Sequence, residues 1–282
     1  MQPLRGTLVA DLSRYLPGPF ASRELLGLGA RVVKIEPPDG DPTRFATPHA
    51  YALLNEGKEI VTWDARADPP PAVLREADVV LEGFRPGVWE RLGVELAPNA
   101  VVCSITGFGA DGPRAGQAGH DLNYMGYAGA LADTAPALPP VQVADLAAGA
   151  QGAVIEILAA LLERERTGRG ARIVVSMTHG THRFVAHSVP RALTGAAACY
   201  RIYETSDGRY LTVAALEPKF WQRLCELLER PDLADKAFAS DLPELEALFR
   251  TRPLADWLAL LEHEDTCVGP VLTLDEAAAE LT

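Results

Sequence analysis

One histidine and two acids are the residues of this chain best placed to do chemistry. His120 and Asp121 stand together in Ala118-Gly-His-Asp-Leu-Asn-Tyr, and Asp145 opens a long apolar helical segment a short way on. A histidine and an acid on two different loops of an α/β framework meet the needs of a two-base proton transfer. One group takes a proton from carbon and the other returns one to the opposite face. Each residue also has a plain structural reading. A lone histidine beside an aspartate can be a packed, hydrogen-bonded side chain, Asp121 can cap a helix over 122–131, and Asp145 can cap the helix it opens.

The surroundings of the motif favour chemistry. Ahead of it, Thr106-Gly-Phe-Gly-Ala-Asp-Gly-Pro-Arg-Ala-Gly forms a long glycine-rich loop leaving the C-terminal end of a strand. Ligand sites in open α/β sheets lie at that edge, so His120 is expected to face a crevice. Asp145 sits among small residues, Ala144, Ala147, Ala148 and Gly149. Helix N-terminal amides beside it could stabilise a developing enolate oxygen, at roughly 3–4 kcal/mol per donor.

The elements that must hold these residues are legible as alternating strands and helices through about residue 177. Segments 7–12, 31–36, 59–63, 79–82, 101–105 and 171–177 read as strands. Pro17-Gly-Pro opens a helix carrying Phe20, Leu25 and Leu28, which Gly29 ends. A second helix over about 146–166 places Val154, Ile157, Leu158, Leu161 and Leu162 on one stripe, with Glu156 and Glu163 off it. This pattern predicts an α/β fold, a large Rossmann-like domain with a parallel sheet and helices on both faces. From Tyr200 the pattern changes to a hairpin around Ser206-Asp-Gly-Arg, helices near 219–229 and 254–263, and a strand at 268–273. The expected organisation is a large α/β domain over 1–180, a linker over 181–199 and a smaller α+β domain over 200–282.

Composition excludes several classes. The formal charge of −12 over 282 residues argues against a nucleic-acid partner, which needs a basic face. No run of about 18 uninterrupted apolar residues exists, so a membrane partner is not expected. The N-terminus runs directly into a strand without the regions of a signal peptide, and Cys103, Cys199, Cys225 and Cys267 show no CxxC or zinc spacing. A reduced, cytoplasmic protein is the expectation. Glu36 ends the second strand, where a ribose-binding acid would sit. Yet the first loop, Ser13-Arg-Tyr-Leu-Pro-Gly-Pro-Phe, has two prolines where the G-x-G-x-x-G turn of a dinucleotide site belongs. No P-loop, G-x-S-x-G or HExxH pattern occurs.

A series of motifs in order along the chain resembles the family III CoA-transferases and, within them, the α-methylacyl-CoA racemases. They are Val32-Val-Lys-Ile-Glu-Pro-Pro, Glu82-Gly-Phe-Arg-Pro-Gly-Val, Thr106-Gly-Phe-Gly-Ala-Asp-Gly-Pro and Ala118-Gly-His-Asp-Leu-Asn-Tyr. Val143-Ala-Asp-Leu, Ala160-Leu-Leu-Glu-Arg-Glu-Arg-Thr-Gly-Arg-Gly, Asp207-Gly-Arg-Tyr and Ala215-Leu-Glu-Pro-Lys-Phe-Trp continue the set. The resemblance implies that Asp145 is the covalent nucleophile of a transferase or one of the two bases of a racemase. It implies that His120 is the racemase-like second base and that Glu217 is the acid partnering it. It further implies an interlocked homodimer acting on an acyl-CoA, with the site between the large domain of one subunit and the small domain of its neighbour. Arg85, Lys58 and Arg44 are candidates for the CoA phosphates.

Racemisation requires no metal or redox cofactor, so none is expected beyond the CoA moiety of the substrate. The expected activity is a racemase or epimerase of 2-methylacyl-CoA thioesters. The alternatives are a CoA-transferase with an acyl-enzyme at Asp145, and a non-catalytic CoA-binding member of the family. Three departures from the family pattern bear on these readings. Asn55-Glu-Gly-Lys replaces the usual Asn-Arg-Gly-Lys and puts Glu56 near the expected CoA path. The segment between Thr178 and Tyr200 is shorter than usual, and a C-terminal return to the large domain is not evident before Thr282.

Overall fold

Alternate residues of successive strands are buried on opposite faces, as a sheet covered on both sides requires. Val9, Val32, Val79 and Val101 belong to one apolar core, and their neighbours Ala10, Val33, Val80 and Val102 to another. The computed structural model describes residues 1–186 and 191–281, apart from the side chains at 191 and 192. The chain divides into two compact units, Met1–His187 and Ser188–Thr282.

In the first unit, strands β1 (Leu8–Asp11), β2 (Arg31–Glu36), β3 (Glu59–Thr62), β4 (Val79–Glu82), β5 (Val101–Thr106) and β6 (Ala171–Ser176) form one parallel sheet. Its order is β3-β2-β1-β4-β5-β6, the doubly wound arrangement, which reverses between β1 and β4. Helices α1 (Pro17–Gly27), α2 (Thr43–Ala46), α3 (Pro48–Asn55), α4 (Ala72–Glu76), α5 (Val88–Arg91) and α6 (Asp121–Ala128) connect them. A continuous helix follows, wound as a π-helix over Ala144–Gln151 and as α7 over Gly152–Thr167, and α8 (Met177–Ala186) comes after β6. Leu25 of α1, Met125 of α6 and Ile157 and Leu161 of α7 pack on one face of the sheet, Leu74 of α4 and Trp89 of α5 on the other.

The helix Ala144–Thr167 is long and apolar enough to cross a membrane by length and composition, with a mean hydropathy of 1.5. A count of uninterrupted apolar residues misses it because Gln151, Glu156 and Glu163 break the run. Its stripe of Ala150, Ala153, Ile157 and Leu161 packs in the core of the unit, and a core helix meets the same test.

Beneath the loop after β1 lies a network of buried charges. Lys58 donates to Pro19 O at 2.9 Å, Ser22 Oγ at 2.7 Å and Asn55 Oδ1 at 3.0 Å, and pairs with Asp11 at 3.4 Å. Lys34 pairs with Asp41 at 3.1 Å and donates to Ser13 O at 3.0 Å, and all four charged side chains are fully buried. Burial pulls Lys58 down to about 8 despite the neighbouring carboxylate. Burial alone would raise Asp11, but Lys34, Lys58 and the Ser13 and Ser22 hydroxyls together hold it below the usual carboxylate range.

The second unit has an antiparallel sheet of β7 (Tyr200–Glu204), β8 (Tyr210–Ala214) and β9 (Val268–Pro270). Helices α9 (Pro218–Leu227), α10 (Pro243–Phe249) and α11 (Leu254–Leu261) contribute to its core, which Trp221, Phe249 and Trp257 dominate; α12 (Leu274–Leu281) follows. β9 is shorter than the expected strand over 268–273, since it ends at Pro270, which supplies no ladder N–H. The boundary between the two units falls within the stretch expected to be a linker, 181–199. α8 runs to Ala186, and Ala197, Ala198 and Cys199 are buried in the second core; residues 187–190 of that stretch lie outside the described residues.

Replacing Asp11 with alanine leaves Lys58 buried without its carboxylate, and should cost about 3–5 kcal/mol of stability. Denaturant unfolding followed by tryptophan fluorescence checks this; a loss under about 1 kcal/mol would show that the network carries no such constraint.

Candidate active site

The glycine-rich loop after β5 is fixed before it reaches His120. Thr106 Oγ1 donates to Val175 O at 3.2 Å and accepts the Gly109 N–H at 3.0 Å. Gly107 and Gly119 both press on the Tyr124 ring. A Cβ at Gly119 would lie 2.8 Å from Tyr124 Cε1, and one at Gly107 would overlap the ring. The Tyr124 hydroxyl donates to Gly119 O, and Phe108 packs edge to face on Tyr124 at 5.2 Å. Two contacts that only glycine permits therefore fold the loop back onto α6.

His120 is the N-cap of α6, extended at φ −129° and ψ 176°, and is exposed. Its backbone N–H donates to Asn123 Oδ1 at 3.1 Å. Its ring meets that of Tyr15 edge to face, with centroids 6.3 Å apart. Tyr15 lies on the loop after β1 with φ +69°, a left-handed conformation uncommon outside glycine. Its N–H points to Asp41 Oδ1 at 3.5 Å, which ties it to the buried charge network.

Asp121 does not cap its own helix. It is the first residue of α6, it is buried, and its Oδ1 accepts the backbone N–H of Asp145 at 2.9 Å. Asp121 thus satisfies an orphan amide at the start of the next helix. Asp145 is the second residue of that helix, on the π-wound turn, a form frequent at functional sites. Close approach of α8 holds the turn. A Cβ at Gly149 would lie 2.9 Å from Met177 Cγ, and one at Gly180 would lie 2.8 Å from Ala148 Cβ.

The Asp145 carboxyl is half-buried and receives no hydrogen bond or ion pair among the described residues. Burial, and then the negative charge of Asp121, push it up from 3.8 to about 7. Tyr124 is held up at about 12, by burial and by these same two acids. The amides expected to face an oxyanion beside Asp145 are engaged inside the protein. The Asp145 N–H goes to Asp121, and the Leu146 N–H goes to Gln142 O at 2.9 Å. The donors left over are those of Asp121 and Leu122, which occupy the first two positions of α6 and have no partner within that helix.

The other residues singled out in the sequence fare unevenly. Lys58 spends its ammonium hydrogens inside the protein and has none for a phosphate. Arg44 is paired with Glu36 at 2.8 Å and with the Tyr51 hydroxyl at 2.6 Å, though its side chain is 40% exposed. Glu36 also accepts from Tyr51, so it is not a free ribose acceptor. Arg85 is exposed, in the loop after β4, with no ion pair among the described residues. Glu56 is exposed at the end of α3. Glu217 is the exposed N-cap of α9 in the second unit.

Sequence reasoning missed a cavity of about 480 Å³ at the C-terminal edge of the sheet. Leu12 and Arg14 after β1, Glu36 at the end of β2, Trp63 and Arg66 after β3, and Phe84 after β4 line it. The position of these residues just past strand ends was the available signal.

Residues 4–281 match the CoA-transferase family III. The chain is 32% identical to the alpha-methylacyl-CoA racemase of Homo sapiens, over 97% of this chain and 78% of the racemase. It is 34% identical to the acetyl-CoA:oxalate CoA-transferase of Acetobacter aceti, over 98% of this chain and 82% of the transferase. Among solved structures, a CAIB/BAIF family protein from Brucella suis superposes with a TM-score of 0.82 at 30% identity, covering 99% of this chain and 86% of that one. The match to the racemase extends over 307 positions, more than this chain's 282 residues, so the racemase carries residues for which this chain has no counterpart. The doubly wound sheet, the acid at the start of the long helix and the match along nearly the whole length agree: this chain belongs to the CoA-transferase family III.

Proposed function

We propose that this protein is a racemase or epimerase of 2-methylacyl-CoA thioesters, acting by 1,1-proton transfer through an enolate. One observation carries the reading. Asp145 offers a half-buried carboxyl without a partner among the described residues, poised at about 7, on a turn hydrogen-bonded to the residue that follows His120. A carboxyl near neutrality is basic enough to take a proton from carbon and acidic enough to return one.

In one direction the Asp145 carboxylate removes the α-proton. The C–H electron pair forms the Cα–C double bond, and the carbonyl π pair moves onto the thioester oxygen. The Asp121 and Leu122 N–H groups are the donors assigned to that oxygen. An imidazolium at His120 then protonates Cα on the opposite face, and the electron pair returns to the carbonyl. The reverse direction exchanges the two roles. Glu217 is assigned as the acid that supports the histidine, on the family motif Leu216-Glu-Pro-Lys. The reaction so written calls for no metal or redox cofactor, and CoA enters as part of the substrate. Its nucleotide end is assigned to the crevice at the sheet edge, where Arg14, Arg66 and the nearby Arg85 can meet phosphates and Trp63 and Phe84 can stack on a base. A cytoplasmic homodimer without nucleic-acid or membrane partners completes the proposal.

A second reading has a specific basis, because the oxalate transferase is as similar to this chain as the racemase. In it, a CoA-transferase, the Asp145 carboxylate attacks the thioester carbon, the CoA thiolate leaves, and an acyl-aspartyl anhydride forms for transfer. His120 counts against it, because that chemistry has no use for a second base.

A panel of 2-methylacyl-CoA thioesters in D₂O tests the proposal. Deuterium should appear at the α-carbon, with His120→Ala and Asp145→Ala reducing the rate by about 10²–10⁴-fold and Glu217→Gln by less. No exchange across the panel overturns it. Trapping of Asp145 as a hydroxamate by hydroxylamine after acyl-CoA addition would then favour the transferase, and CoA binding without either reaction a non-catalytic role.

The raised carboxyl also has a stability signature. The folded protein holds the Asp145 proton more tightly than the unfolded chain, so stability is lost as pH rises from 3.8 through about 7. Asp145→Asn removes this loss. Its Tm relative to the wild type should rise steadily from about pH 4 to about pH 7 and level off above, as scanning calorimetry would show. A Tm difference independent of pH would contradict the raised carboxyl.

A further inference from the structure

Among the described residues, Asp121 is the one that joins both candidate bases. It follows His120 in the chain, and its carboxylate reaches across to accept the Asp145 backbone N–H at 2.9 Å. Among the described residues this is the one hydrogen bond between α6 and the Ala144–Gln151 turn. Asp121 is only 9% exposed, so water competes little for the bond, and an ionised acceptor makes it stronger than a neutral pair. We infer that Asp121 is the positioning residue of the proton-transfer site, setting the placement of the Asp145 turn against the loop that presents His120. The inference deepens the racemase reading and rests on it.

Geometry makes the role demanding. A two-base reaction needs its acid and base on opposite faces of one carbon, and a misplacement of about 1 Å can cost 10²-fold in rate. The turn carrying Asp145 is mostly alanine and glycine, and close approach at Gly149 and Gly180 fixes its depth against α8. The directional bond from the Asp145 N–H to Asp121, the residue after His120, fixes it against α6 as well.

The same carboxylate also acts on Asp145 through its charge. It is the one charged group that shifts Asp145; the rest of the shift is burial. From α6, Tyr124 faces Asp145 as a neutral phenol. The α1 charges, Arg23 and Glu24, are exposed, and Arg172 of β6 is 3.7 Å from Glu90. On α8, His182 Nδ1 lies 3.0 Å from Ala128 O, and His179 is exposed next to Gly109. None of these groups offsets Asp121.

Two substitutions separate position from charge. In Asp121→Asn the side-chain oxygen can still accept the Asp145 N–H while the charge is gone; in Asp121→Ala both are lost. The Asp145 titration is read on the ligand-free protein by ¹³Cγ-aspartate NMR, assigned by the signal missing in Asp145→Asn. That measurement stands whether or not the racemase reading does, which wild-type deuterium exchange decides separately. Asp121→Asn should move the Asp145 midpoint, and the acid limb of the kcat–pH profile, down by about one pH unit. Its kcat at its own optimum should stay above that of Asp121→Ala. Asp121→Ala should lower kcat by about 10–100-fold with KM nearly unchanged. An unmoved midpoint in Asp121→Asn, or a wild-type kcat in Asp121→Ala, overturns the inference. If Asp121→Ala does not fold, the asparagine variant decides alone.

Discussion

Four buried charges at the C-terminal end of β1 are the constraint on which the ligand-facing edge of the first unit depends. Asp11, Asp41, Lys34 and Lys58 are all out of solvent, and their pairing balances two positive against two negative groups. Such a network costs several kcal/mol per ion in desolvation, and apolar residues of similar shape could replace it without loss of stability. Its value lies in direction. The segment from the end of β1 into the first turn of α1 includes Pro17, Pro19 and Gly18, the last packed on Ser13, so apolar burial cannot specify its path. Bonds to Ser13 O and Pro19 O from the two lysines do so instead. The loop so held puts Tyr15 in a left-handed conformation, at a cost of about 1–3 kcal/mol, and brings its ring against His120.

The candidate acid repeats the logic on the other side of the site. Taking the Asp145 carboxyl partly out of water and placing it near Asp121 works against the fold at neutral pH, since no side chain compensates it. What retains it there is backbone: a π-wound turn of small residues with α8 packed close on Gly149 and Gly180, and an amide tied to Asp121. The site therefore draws on rigidity in two currencies, buried ion pairs beneath the β1 loop and glycine-permitted close packing around the π turn. Both leave the reactive groups themselves short of partners, as groups must be that are to bind and react with something else.

How much of this was legible in the sequence follows from the range of the forces involved. The sheet and its strand limits could be read because each strand carries its own apolar pattern, and the long helix because its stripe repeats every turn. The placement of His120 at the start of α6 and of Asp145 at the start of the long helix could be read because both stand in short motifs next to glycines and a helix start. Lys58 and Asp121 were misassigned for a shared reason. Lys58 is bound to residues up to 47 positions away and Asp121 to one 24 positions away. Local spacing suggested a phosphate ligand and a cap for the adjacent helix, and the tertiary partners claimed both residues. The crevice lined by Arg14, Trp63 and Phe84 was invisible for the same reason, because its walls come from four strand ends that only the sheet order brings together.

The raised carboxyl bears on the choice between the two chemistries that the family supports. Both begin with Asp145 ionised, but they ask different things of it afterwards. A base that removes a proton from carbon gains from a higher pKa, because the proton transfer becomes less uphill. A nucleophile that forms an acyl anhydride must later leave as a carboxylate, and a higher pKa makes it a poorer leaving group. On the proposed reading, burial beside Asp121 suits Asp145 to proton transfer better than to anhydride chemistry.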